Sequence, residues 1–233
     1  MSKEIVHSLE PVTLVGGGEA SVADLHAALA LAPRLVAADG GAALPLQERL
    51  MPEAVIGDLD SLSDLDRGRI AADRLFHIAE QDSTDFEKAL GNISAPVILG
   101  VGFLGARVDH QLAAFHSLLS FAHRACVLLG AEELVFLAPP QIALDLEAGN
   151  TVSLFPLRRV TGRSTGLEWP IDDLVFEPGV QSGTSNRATG PVMLEVDQPG
   201  LLVIVPRAAL GQVTQALAAS AGAGRGPWPV RAG

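Results

Sequence analysis

The sequence predicts an α/β domain built on a parallel sheet, followed by an all-β domain. Three observations carry that expectation. From residue 11 to about 137, short apolar runs alternate with longer amphipathic stretches, the rhythm of βαβ units. Acidic residues and glycines gather where the apolar runs end, which is where open α/β sheets bind ligands. After about residue 139 the helical spacing stops, and segments that alternate or run apolar follow one another between turns such as EAGN and DQPG.

Taken in order, the strand runs of the first domain are VTLVGGG, RLVAADGG, EAVIGDLD, LFHIAE, PVILGVG and CVLLG. Between them VADLHAALALA, AALPLQERL, SDLDRGRIAADR, TDFEKALG and VDHQLAAFHSLLSFAHR place apolar residues at helical spacing. The last of these predicts an apolar face through Leu112, Phe115, Leu119 and Ala122. In the second domain QIALDLE, TVSLFPL, LVFEPG, VMLEV and LLVIVP read as strands. The boundaries fall at 1–138 for the first domain and 139–215 for the second, with an Ala/Gly-rich tail at 216–233 expected to be loose after one helical turn.

The 233 residues suffice to bury a core. No stretch approaches the roughly 20 apolar residues of a membrane helix, and the start lacks the apolar middle of a signal peptide. One cysteine, Cys126, makes no intrachain disulfide and sits in the apolar run CVLL. These features point to a soluble, cytoplasmic protein with no membrane role. A net charge of −11 without a basic patch argues against nucleic acid as a partner.

Several motifs compete for the site. Gly16, Gly17 and Gly18 leave a strand and precede a helix, and Asp39 ends the next strand, as in a dinucleotide fold; Ser21 stands where that fold needs its third glycine. The triplet equally suits a phosphate approach or a tight strand-to-helix turn. No Gly-Lys-Ser/Thr occurs, which excludes the common phosphate-loop NTPases. GRSTG at 162–166 matches a hydrolase nucleophile pattern, but every histidine precedes it, so Ser164 reads as a loop residue. The spacing of Asp58 and Asp60 touches the calcium-hand loop, which fails at Ser63 and Arg69.

Three acidic clusters remain, each at a strand exit. Asp58 and Asp60, two apart in extended chain, would project to one side and suit magnesium; the alternative is a turn cap beside a solvated acid. Asp64 and Asp66 read as capping and solvating the next helix. In QDSTDFEKAL, Thr84 and Glu87 form a capping box, which leaves Asp82, Asp85 and Lys88 to offer metal- and phosphate-binding groups. In GFLGARVDHQL, Arg107, Asp109 and His110 open a helix, Asp109 being an N-cap or a site acid.

VAADGGA, VIGDLDSL, DSTDFEKAL, GFLGARVDH, TGLEWPIDD and GTSN together, in this order over residues 12–206, resemble the thiamine pyrophosphokinases. The resemblance implies an α/β nucleotide-binding domain followed by a β-sandwich domain, a homodimer with sites at its interface, and transfer of the pyrophosphoryl group of Mg-ATP to the hydroxyl of thiamine. It implies Mg2+ on Asp58, Asp60 and Asp85, with Ser61 in support. Asp39, Gly40, Gly41, Gln81, Asp82, Thr84 and Lys88 would form the ATP site, and Arg107 and Asp109 would lie near the phosphates and the hydroxyl. Asp109 is the candidate general base. Trp169 would stack on thiamine, with Ser185 and Asn186 as polar contacts. Two departures stand out: Ala43 replaces the asparagine that usually follows ADGGA, and Gln81 stands where many bacterial relatives carry lysine. A phosphohydrolase using Asp58 as nucleophile, a related pterin pyrophosphokinase and a non-catalytic nucleotide-binding regulator remain alternatives at this point.

Overall fold

A computed structural model describes residues 4–105, 107–222 and 227–229. Contacts divide the chain into two units, 1–117 and 118–233.

The first unit alternates strand and helix: β1 (Val6–His7), β2 (Val12–Val15), α1 (Val22–Leu29), β3 (Arg34–Ala38), α2 (Ala43–Gln47), β4 (Ala54–Gly57), α3 (Asp64–Arg69), β5 (Leu75–His77), α4 (Asp85–Asn92), β6 (Ile93–Ser94), β7 (Ile98–Val101) and α5 (Val108–Ser120). Its strands pair in parallel: β2 with β7, β3 with β4, β4 with β5, and the short β1 with β6. Strands β2, β4 and β7 are buried at every position, which is why their sequences run apolar instead of alternating. Helix starts follow local chemistry. Ser21 and Asp24 form a capping box on α1, Thr84 and Glu87 form another on α4, and Ser63 caps α3. Asp64 and Asp66 thus occupy the first turn of α3 and do not cap it, because the Ser63 hydroxyl already takes the Asp66 N–H.

On α5 the buried residues are Ala114, Ser117 and Leu118, whereas Leu112 is exposed. The packed face is therefore rotated from the expected one: Ala114, Ser117 and Leu118 form the buried stripe, and Phe115 and Leu119 lie at its margins.

The second unit carries β8 (Cys126–Leu129), β9 (Glu133–Leu137), β10 (Gln141–Leu144), β11 (Thr151–Pro156), β12 (Val160–Leu167), β13 (Val175–Phe176), β14 (Thr184–Val196), β15 (Leu201–Pro206) and α6 (Leu210–Gly222). Its strands pair antiparallel in the order β8–β9–β15–β11–β14. The 13-residue β14 serves two sets of partners. Its first residues pair with β11, and its later ones pair with β10 and β12. The change of partner is marked by Gly190 and Pro191 on β14 and by a bulge in β12 between Thr165 and Leu167. Gly166 fills that bulge with φ +77°, and a Cβ there would run into the Pro191 carbonyl oxygen, so only glycine fits.

Three expectations change in this unit: GRSTG as loop, an all-β composition and a loose tail from residue 216. By contacts, strands β8 and β9 group with the second unit, where β9 pairs with β15. GRSTG lies in strand β12, and the Ser164 hydroxyl accepts the Ile171 N–H at 3.0 Å. The unit is not all-β: α6 buries Leu210, Val213 and Leu217 and packs beside β10, so residues 216–222 are helical. Its Ala- and Gln-rich sequence is helix-forming, and Gly211 and Gly222 sit near its ends. Of the remaining tail, 223–226 and 230–233 lie outside the described residues; Trp228 donates its indole N–H to the Ala138 carbonyl at 2.9 Å. Among the described residues no helix is long and apolar enough to cross a membrane.

Candidate functional site

The carboxyl ends of β2, β3, β4 and β7 open into one cavity of about 970 Å³, contained within the first unit. Its walls include the backbone of Gly16, Gly17, Gly18 and Gly102, the acids Asp39, Asp58 and Asp85, and Lys88. The volume is of the order a nucleotide-sized ligand needs. Phe86 and Phe103 close one side with rings 4.2 Å apart, an apolar pair that the motif reading missed although both follow strand-end signals.

Two glycines make room for the acids and the loops. A Cβ on Gly57, the last residue of β4, would meet Asp39 Cβ at 2.8 Å and an Asp85 carboxylate oxygen at 2.9 Å. Gly102, φ +80° after β7, would place a Cβ 2.6 Å from the Gly16 carbonyl oxygen. Both strand ends are thereby held close, and Gly18 N–H donates to Gly102 O at 3.0 Å. Gly40 lines the cavity, whereas Gly41 packs its backbone against Val15.

Asp58 and Asp60 do not lie in extended chain, as the two-residue spacing suggested. Leu59 between them has φ +63°, a left-handed conformation costing a branched residue about 1–2 kcal/mol. Its side chain is 4% exposed and packs with Ala37, Ala42, Leu46, Val55, Leu62 and Ile70. Burying a leucine contributes about 1.5–3 kcal/mol, enough to hold the turn. Arg67 also donates to the Leu59 carbonyl. The two carboxylates still converge, now through a turn in which Asp60 N–H donates to Asp58 Oδ1 at 3.3 Å.

A third acid joins them from the end of β3. Asp39, Asp58 and Asp60 each offer an oxygen within 4.8 Å of the others. Asp39 is 1% exposed, with φ +42°; Ser61 N–H donates to its Oδ2 at 3.1 Å, and its buried Oδ1 has no hydrogen-bond partner among the described residues. Burial first, and then the charges of Asp85 and Asp58, push its pKa up against the Ser61 hydrogen bond. Three hard oxygen donors around an unpartnered buried carboxylate oxygen fit a divalent cation such as Mg2+. Ser61 supports the group from behind, its hydroxyl donating to Asp60 Oδ1 at 2.9 Å.

Asp85 stands outside that trio. Its Oδ1 accepts from Lys88 Nζ at 3.2 Å and from Asp58 N–H at 3.4 Å. The i, i+3 spacing on α4 brings Lys88 to it, and the same ammonium reaches Asp58 Oδ2 at 3.1 Å. The Lys88 side chain is 2% exposed. Burial pulls the ammonium down, but the two carboxylates more than offset it and its pKa is raised. The Lys88 hydrogen bond holds Asp58 below the usual carboxylate range. Gln81 adds a 3.3 Å hydrogen bond to Asp58 Oδ2, and Thr84 lines the cavity as the cap of α4. Asp82 is exposed and does not line the cavity; its N–H is held by Glu80.

Arg107 lines the cavity, and it grips Asp109 through two hydrogen bonds of 3.1 and 2.6 Å. The guanidinium lowers the Asp109 pKa to about 2. A carboxylate so stabilised is a weak proton acceptor, which counts against Asp109 as general base while Arg107 holds it.

In the second unit, Trp169 follows β12 and is 54% exposed. Ser185 is exposed on β14, and its neighbour Asn186 is buried. The Asn186 side chain is spent on backbone groups: its Nδ2 donates to Trp169 O at 2.6 Å, and its Oδ1 accepts from Trp169 N–H at 3.2 Å and Arg187 N–H at 2.8 Å.

Residues 25–129 match the family model "Thiamin pyrophosphokinase, catalytic domain", and residues 141–201 match "Thiamin pyrophosphokinase, vitamin B1 binding domain". Thiamine pyrophosphokinase 3 of Oryza sativa subsp. japonica is 27% identical over 160 residues, covering 60% of each chain. Thiamine pyrophosphokinase 1 of Arabidopsis thaliana is 28% identical over 167 residues, 62% of this chain and 61% of that protein. The matched segment thus spans about three fifths of these curated relatives. Among solved structures, thiamin pyrophosphokinase from Geobacillus thermodenitrificans superposes with a TM-score of 0.69 at 22% identity, covering 84% of this chain and 96% of that one. The Candida albicans enzyme gives 0.71 at 15%, covering 86% and 93%. At such identities these two carry the mixed α/β fold alone.

Proposed function

The chain belongs to the thiamin pyrophosphokinase family, and from that premise we propose that it transfers the pyrophosphoryl group of ATP to the hydroxyl of thiamine, yielding thiamine diphosphate and AMP. The observation that carries the reading is the buried, unpartnered Asp39 Oδ1 grouped with Asp58 and Asp60 beside a glycine-walled cavity. A cluster of that charge is stabilised by cations, and a nucleotide triphosphate needs cations as well.

On this reading Asp39, Asp58 and Asp60 hold Mg2+, which neutralises charge on the phosphates when bound. Asp85 acts one step removed, fixing Lys88 against Asp58. Glycine backbone at the ends of β2 and β7 lets the phosphates approach the main chain without side-chain clash. Arg107 supplies a cation to the cavity, with Asp109 holding it until substrate arrives. The hydroxyl oxygen of thiamine forms its new bond to the β-phosphorus. The bond from that phosphorus to the α–β bridging oxygen breaks, AMP leaves, and the hydroxyl proton passes to solvent or to a site carboxylate. The second unit, with β14 shared between two strand sets, is the thiamine-binding sandwich, where Trp169 stacks on the thiazolium cation and Ser185 offers a polar contact. The cytoplasmic homodimer implied by the resemblance belongs to the same proposal, and sedimentation velocity tests the dimer.

The test is incubation of the purified chain with ATP and Mg2+, with and without thiamine. AMP formation that requires thiamine supports the transfer. Inorganic phosphate released without thiamine would assign a phosphohydrolase instead, and binding of ATP without any turnover would assign a regulator.

A further inference from the structure

The pairing of β12 with β14 ends at Leu167 opposite Ala188, and Glu168 N–H still reaches Arg187 O at 2.9 Å. One residue further, Asn186 stands on β14 opposite Val152 of β11. The Asn186 side chain takes over. Its carboxamide presents one acceptor and one donor to Trp169, as a peptide group does in an antiparallel pair that exchanges both hydrogen bonds. Pro170 follows directly and has no N–H to continue the ladder. The result is a half-exposed indole whose own backbone is clamped at both polar groups by a side chain only 3% exposed.

We propose that Asn186 is a positioning residue that locks the main chain of Trp169 so that its indole is set before thiamine arrives. This rests on the reading that Trp169 stacks on thiamine. It replaces the expectation that Asn186 is itself a thiamine contact: three of its four hydrogen-bonding capacities are committed to backbone atoms, and the side chain is buried. Fixing an aromatic in its binding pose removes an ordering cost from ligand capture, so the effect belongs in affinity for thiamine and not in the chemical step.

The experiment uses the full chain as Asn186→Ala, Trp169→Ala and the double variant, with steady-state kinetics in both substrates. Asn186→Ala should raise the KM for thiamine roughly fivefold to twentyfold, with kcat and the KM for ATP within about twofold of wild type. In the Trp169→Ala background the same change should add less than about twofold, because the two residues act through one contact. An equal rise in both backgrounds would make Asn186 a direct thiamine contact and overturn the proposal, as would an unchanged KM for thiamine. A second readout is independent of thiamine. In a Trp228→Phe background, Trp169 is the sole tryptophan, and Asn186→Ala should lower its fluorescence anisotropy and increase acrylamide quenching. Altered fluorescence with a Trp169→Ala enzyme of normal thiamine KM would refute the stacking reading while leaving the clamp standing; unaltered fluorescence would refute the clamp. Asn186→Asp, which keeps the acceptor and volume but loses the donor, runs through the same tests should the alanine variant not fold.

Discussion

Replacing Asp39 by asparagine should make the Mg2+-free protein more stable and the Mg2+-loaded protein less so. The carboxamide introduced by Asp39→Asn would keep an oxygen for the Ser61 N–H and put an NH2 donor where Oδ1 now stands buried and unpartnered. Asparagine also tolerates the left-handed φ of +42° at this position. Removing a buried charge that lies near the like charges of Asp85 and Asp58 is worth about 1–3 kcal/mol. For a chain of this length that raises the unfolding midpoint by about 2–12 °C. The sign with pH follows from the raised pKa of Asp39. An acid whose folded pKa exceeds its unfolded value costs stability above the unfolded value, so the gain should be present at pH 7 and fade toward pH about 4. With Mg2+ at about 100 times its dissociation constant, wild type should gain about 2.7 kcal/mol that the variant largely forgoes. Thermal unfolding by circular dichroism, in EDTA and in Mg2+, reads both effects. A variant no more stable than wild type in EDTA, or one with an undiminished Mg2+ shift, would refute the assignment of Asp39 as a carboxylate kept for a cation.

Other outcomes follow from the same cluster. Lys88→Met removes an ammonium that is 2% exposed from between Asp58 and Asp85, whose side chains are 14% and 32% exposed. Breaking a buried pair costs about 3–5 kcal/mol, and partial exposure of the acids reduces this to about 2–3 kcal/mol in EDTA. Mg2+ should restore part of that loss; equal stability of wild type and variant in EDTA would contradict the ion-pair account. Because Asp58 is held low and Lys88 high, their contribution is present between about pH 4 and 10 and is lost as pH falls through the folded value of Asp58 or rises through that of Lys88. Chemical denaturation of wild type and Lys88→Met across pH should show the gap between them closing at both ends. Asp109→Asn should lower turnover less than about tenfold, since a carboxylate with a pKa of about 2 makes a poor base; a loss of about 10² or more would return Asp109 to that role.

Most of the first unit was legible because fully buried parallel strands and capped helices write their periods plainly into sequence. AVIG, PVILGVG and the Thr84–Glu87 box are examples. The acids were legible as residues but not as a set. Asp39 joined Asp58 and Asp60, and Asp85 turned to Lys88, because parallel pairing of β3 with β4 decides which strand ends meet. Leu59 hid the local geometry: tertiary burial forces a left-handed turn that no propensity favours. In the second unit Ser164 reads as a loop residue once no histidine follows GRSTG, yet the segment is a strand and Gly166 marks a bulge inside it. Helix α6 was obscured by an Ala/Gly-rich composition that suits either helix or loose chain, and its burial against β10 decides between them.

If this chain moves two phosphoryl groups together onto an alcohol, 31P NMR of the protein with ATP, Mg2+ and thiamine will show it in a single experiment. AMP and thiamine diphosphate should appear in equal amounts, dependent on thiamine and abolished in EDTA; thiamine monophosphate with ADP, or inorganic phosphate in the absence of thiamine, would contradict the transfer.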